Sequence, residues 1–129
     1  MTEVDIWGDL PSPKPLRTPK QVLEEQAALL GDKTNNLLEC KCGFSTAHEY
    51  VNGRITVHLP TKGFQTLLFE FHYNILELYP VTVLAKYNVD ADHMSCENET
   101  ELLHYLNWCL SRDVYRNLLA SLIRYANEE

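Results

Sequence analysis

At Leu38 the spacing of the apolar residues changes, and that change limits the chain to a helix followed by a sheet. Between residues 18 and 31, Val22, Leu23, Gln26, Ala27, Leu29 and Leu30 recur at helical intervals. From residue 38 to about residue 86 the interval is two, opening with Leu38, Cys40, Cys42 and Phe44 set against Glu39, Lys41, Gly43 and Ser45. A period of two marks strands with one buried face, and the helical interval returns only after Asn98. This order predicts an α+β fold, a four-stranded antiparallel meander with one N-terminal and two C-terminal helices.

Local signals set the expected boundaries. Thr18, Pro19 and Gln21 form a capping-box start for the first helix, and Gly31 is its expected stop, with residues 32–36 able to add a turn. Asn52-Gly53 is the preferred pair for a two-residue hairpin, which would set Val51 against Arg54, Tyr50 against Ile55 and His48 against Val57. Tyr50, Ile55, Val57 and Leu59 would then share the apolar face. Thr61-Lys62-Gly63 fits a three-residue hairpin pairing Pro60 with Phe64, Leu67 with Val57, Phe69 with Ile55 and Arg54 with Glu70. Residues 79–86 form the fourth strand, and Pro80, which has no N–H to donate, belongs at its start or on an edge. Residues 88–98 read as a loop. Asn98 and Glu101 make a second capping box, and Leu102, Leu103, Leu106, Cys109 and Leu110 a helical stripe. Ser111 is the expected cap of a last helix carrying Val114, Tyr115, Leu118, Leu119, Leu122 and Ile123 on one side.

The 129 residues suffice for one core, so residues 18–129 are expected to form a single α+β domain. Residues 1–17 hold Pro11, Pro13 and Pro15 and read as an extended arm. On that arm Ile6, Trp7 and Leu10 stand among acidic neighbours, a composition suited to docking on this domain or on another chain. A net charge of −7, with 11 scattered Lys and Arg, argues against nucleic acid and anionic lipid as partners, and no apolar run reaches the length of a membrane span. The first residues offer neither the basic flank nor the apolar run of a secretion signal, so a cytoplasmic location is expected. The four cysteines are then read as reduced thiols, and Asn98-Glu99-Thr100 as a helix start rather than a glycosylation site.

No catalytic constellation is visible. The five glycines stand apart, so there is no phosphate cradle, and Gly43-Phe44-Ser45 lacks the second glycine of a nucleophile turn. Cys40-Lys41-Cys42 and His93-Met94-Ser95-Cys96 supply four soft ligands, yet alternate strand residues lie about 6–7 Å apart, too far for ordinary chelation. Asp90, Asp92 and His93 offer too few oxygen donors for a divalent cation. No metal and no cofactor are therefore expected.

What remains is the polar face of the sheet. Lys41, Arg54, Thr56, His58, Glu70 and His72 fall on adjacent strands, pointing away from the apolar face, and form the main candidate binding surface. Ile6, Trp7 and Leu10 of the arm form the other. The leading expectation is a non-catalytic binding protein, such as a small regulator, inhibitor or toxin-neutralising partner, whose partner is another protein. Two alternatives stay open: a small-ligand binder with Tyr50, Tyr73, Tyr79 and Trp108 around a pocket between sheet and helices, and a metal-dependent enzyme using His93, Cys96 and nearby acids. The meander would also leave two sheet edges open to pairing between copies.

The run Thr18-Pro19-Lys20-Gln21-Val22-Leu23-Glu24-Glu25-Gln26-Ala27-Ala28-Leu29-Leu30-Gly31-Asp32-Lys33-Thr34, with Leu78-Tyr79-Pro80-Val81 downstream, resembles a pattern in small uncharacterised bacterial proteins. The resemblance implies a free-standing bacterial protein and attaches no activity.

Overall fold

A computed structural model describes residues 6, 8–9, 17–87 and 94–128. The first helix, α1 (Pro19–Lys33), begins as its residues dictate. The Thr18 hydroxyl accepts from the Gln21 N–H at 3.2 Å, and the Gln21 side chain accepts from the Thr18 N–H at 3.0 Å. The helix runs two residues past Gly31. It is closed by Asn35 and Asn36 at φ of 52° and 64°, the second of which donates to the Gly31 carbonyl at 2.8 Å. Val22, Leu23 and Ala27 are buried, whereas Leu29 faces outward.

Strands β1 (Glu39–Ala47), β2 (Tyr50–Leu59), β3 (Phe64–Asn74), β4 (Val81–Ala85) and β5 (Met94–Cys96) form one antiparallel sheet in sequence order. The sheet therefore has five strands, not four. Residues 94–96 were expected to lie in a loop, because three residues are too few to display an alternation. Their pairing with β4 and the complete burial of Cys96 make them the outer strand. β1 and β5 are the edges.

The first hairpin also differs from expectation. Its turn is His48-Glu49, with His48 at φ 56°, and Asn52-Gly53 lies inside β2. A turn at Asn52-Gly53 would have set Thr46, His48 and Tyr50 against Leu59, Val57 and Ile55. The observed register instead sets Cys40, Cys42 and Phe44 beside Val57, Ile55 and Gly53, so that one face is uniformly apolar. Tyr50 consequently belongs to the polar face. Gly53 serves packing rather than turning, for the Phe44 ring lies over it and would stand 2.6 Å from an added Cβ. On its other side Phe44 meets the Lys20 ammonium, 5.6 Å from the ring centroid.

Gly63 turns the β2–β3 hairpin at φ 64°, as expected, but the loop has four residues and pairs Leu59 with Phe64. Val57 thus faces Thr66 and not Leu67. A bulge at Leu68 then restores the expected alignment, with Ile55 opposite Phe69 and Arg54 opposite Glu70. It also turns two successive side chains, Leu68 and Phe69, into the core. The chain passes a cis Tyr79–Pro80 bond before entering β4, where Val81, Val83 and Ala85 point inward.

Asn98 caps α2 (Glu99–Ser111) by accepting from the Glu101 N–H at 2.9 Å, while the Glu101 carboxylate accepts from the Glu97 N–H and leaves the box half made. Ser111 does not cap α3 (Asp113–Asn127). It is the last residue of α2 and donates to the Trp108 carbonyl, so Arg112 takes the junction without a side-chain cap. α1 packs over β1 and β2, and α2 over β5 and α3. Tyr115 of α3 fills the space between, stacked 5.3 Å from the Phe69 ring.

Gly63→Val should lower the thermal midpoint more than Gly43→Val, because a β-branched residue at positive φ costs about 1–2 kcal/mol and Gly43 faces open space on an edge strand. Gly53→Ala should cost about 1–3 kcal/mol by forcing the Phe44 ring off its seat. Denaturant unfolding of the three variants measures both, and equal midpoints for Gly63→Val and Gly43→Val would contradict the turn assignment.

Candidate functional site

Strand register determines which side chains share the outward face. Four of its cross-strand rows are Glu39, His58 and Gln65; Lys41, Thr56 and Leu67; Gly43, Arg54, Glu70 and Leu84; and Ser45, Asn52, His72, Thr82 and Ser95. All six expected surface residues, Lys41, Arg54, Thr56, His58, Glu70 and His72, lie on these rows. Lys41, Arg54 and His72 are exposed, and the other three are partly exposed.

Between the last two rows lies a hollow of about 570 Å³, lined among the described residues by strand residues alone. Gly43 contributes no side chain to its row, and a Cβ there would meet nothing within 4 Å. Arg54 reaches Glu70 at 3.4 Å on one side of the hollow. On the other, His72 Nδ1 stands 2.8 Å from Asn52 Oδ1, and the ring stacks on Tyr50 at 4.9 Å. With the amide oxygen accepting, Nδ1 is the donor of this contact. The hollow therefore offers a guanidinium, a carboxylate and an imidazole in fixed places.

The structure brings Arg54, Glu70 and His72 together and leaves His58 apart. His58 lies six positions along β2 from Asn52, the partner of His72, so the two imidazoles lie about 20 Å apart at ~3.3 Å per residue and cannot share a proton transfer. On the arm, Trp7 and Leu10 lie outside the described residues, and Ile6 is 80% exposed.

The three tyrosines and one tryptophan expected around one pocket do not meet. Tyr50 is on the outward face, Trp108 is half exposed on α2 under the Arg112 guanidinium, and Tyr73 is in the core. Tyr79 is partly buried, its hydroxyl without a hydrogen-bond partner among the described residues. A different cavity, of about 370 Å³, lies on the helix side of the sheet. Its walls belong to stripes that in sequence read simply as core.

His93, Asp90 and Asp92 lie outside the described residues, and among the described residues no group of three or more His, Cys, Asp or Glu is placed to hold a metal. The Cys42 thiol donates to the Leu23 carbonyl across the α1–β1 contact, 3.6 Å away. Burial pushes the Cys40 thiol up from 9.0 to about 12 and the Cys42 and Cys96 thiols to about 11. Thiols held protonated in this way are poor nucleophiles and poor metal ligands at neutral pH.

Comparison with family models, curated proteins and solved structures finds no match to this chain.

The native protein should therefore resist alkylation by iodoacetamide at pH 7.5 at Cys40, Cys42 and Cys96, whereas the chain in denaturant labels fully. Since folding raises these pKa values, the stability they contribute is complete below pH 9 and is lost as the pH climbs toward 11 and 12. Mass spectrometry of labelled peptides and thermal melts between pH 7 and 11 check the two halves. Rapid native labelling of Cys40 or Cys42 would contradict the placement of β1 against α1.

Proposed function

We propose that this chain is a non-catalytic binding protein that grips another protein with the outward face of its sheet, in the manner of a small regulator, inhibitor or neutralising partner. The observation that carries the reading is the hollow beside Gly43, an indentation formed by strands alone, walled by Arg54 with Glu70 and by Asn52 with His72. Side chains of both signs, an imidazole and the exposed Tyr50 ring stand around a concave floor. That mixture suits a polar protein surface, with hydrogen bonds and charge setting orientation and an aromatic side chain supplying contact area. The neighbouring Lys41–Glu39 pair, at 3.9 Å, is too loose to hold either side chain from a partner.

Lys41→Glu combined with Arg54→Glu should abolish binding and leave the fold nearly intact. The Arg54–Glu70 pair is exposed and worth under about 1 kcal/mol, whereas like charges across an interface cost several-fold more. The test compares retention of a natively co-purified partner, and the thermal midpoint, for wild type and double variant. Retention of the partner by the double variant, with release on deletion of residues 1–15, would move the binding surface to the arm of Ile6, Trp7 and Leu10.

A further inference from the structure

The cavity on the helix side is a groove with a charge pattern unlike the rest of the chain. Arg17, two residues before α1, bridges Glu25 of that helix and Glu99 at the start of α2, with 2.9 Å from Nη2 to Glu99. This clasp joins the N-terminal ends of the two helices. The groove opens beyond the clasp, walled by Leu30 of α1, Leu103 and Leu110 of α2 and Leu119 of α3, and floored by the sheet. These four leucines are only partly buried, so apolar area is left in contact with water.

At the mouth stand Lys33 and Arg116, both exposed, and neither has an ion pair among the described residues. The lining contains no carboxylate. In a chain of net charge −7 with 11 Lys and Arg, two unopposed cations and no acid around an apolar groove make a local reversal of sign. Such a site complements one chemistry, an apolar body ending in an anion. Its volume, about 370 Å³, lies within the range of small-molecule pockets and below what a two-chain lipid requires.

We propose that the groove binds one single-chain carboxylate of fatty-acid type, the alkyl chain lying along the leucine walls and the carboxylate held at the mouth by Lys33 and Arg116. The binding is non-covalent and independent of the sheet face.

Isothermal titration of the full chain with dodecanoate, below its micellar concentration, tests this directly. One site per chain is expected, with octanoate weaker and dodecyltrimethylammonium weaker still. Lys33→Gln with Arg116→Gln alters only exposed side chains and should weaken dodecanoate binding by about tenfold, the loss typical of a charge-assisted contact. Leu119→Trp, with its helicity checked by circular dichroism, should block the groove and abolish binding. Absence of binding, equal binding of the cationic amphiphile, or an unchanged affinity in the double-charge variant would overturn the proposal. So would co-sedimentation with phosphatidylglycerol vesicles without binding of monomeric dodecanoate, which would assign the cations to a membrane surface.

Discussion

The Tyr115 hydroxyl is the point at which the two layers are locked together. It donates to the Leu68 carbonyl at 2.8 Å, accepts from the Tyr87 N–H, and stands at the end of a fully buried ring stacked on Phe69. A bulge leaves backbone groups without ladder partners, and a buried carbonyl left unpaired costs free energy. Here the carbonyl of the bulged residue receives both the Tyr115 hydroxyl and the Lys86 N–H at 3.1 Å. The irregularity in β3 and the position of α3 thus require each other. Burial pushes the Tyr115 hydroxyl up to about 12, which keeps the donor protonated at any ordinary pH.

Coverage of one sheet face follows from the same arrangement. Most inward residues of the strands are covered by α1, α2 and α3, with Phe64 and Met94 left exposed at the rims, and the outward residues are left to solvent, which is tolerable because they are mostly polar. Three helices do not tile a five-stranded sheet without gaps. With α1 seated over β1 and β2, α2 over β5, and Tyr115 plugging one point between them, a groove remains beyond the Arg17 clasp. Both candidate surfaces are therefore products of where the helices sit.

Two of the three helix starts were legible in sequence because a cap is a local event: Thr18 and Asn98 act within three residues of themselves, whereas Ser111, expected to cap the third, ends α2 instead. The make-up of the outward face was legible for a similar reason, since alternation alone assigns Lys41, Arg54 and His72 to the side opposite Ile55 and Phe69. The first hairpin was not legible. Asn52-Gly53 carries a strong turn signal, overridden by a register that makes one face uniformly apolar and seats Phe44 over Gly53. Arg54 was matched with Glu70 through two departures that cancel, a loop one residue longer than expected and a bulge of one residue. The groove left no trace, because Leu30, Leu103, Leu110 and Leu119 show the same helical spacing whether they meet core or water. β5 was too short to announce itself.

That cancellation at Leu68 has an architectural effect. Pairs from Leu59–Phe64 to Thr56–Leu67 obey one register and those beyond the bulge obey another, with Tyr115 holding the boundary. The tip of the second hairpin is consequently a separate module. A change in its length can be taken up by the four pairs nearest the turn and by the Lys62 contact to the Glu128 carbonyl, without displacing Arg54, Glu70 or His72. A foreign loop grafted onto that tip leaves the chemistry across the outward face where it is.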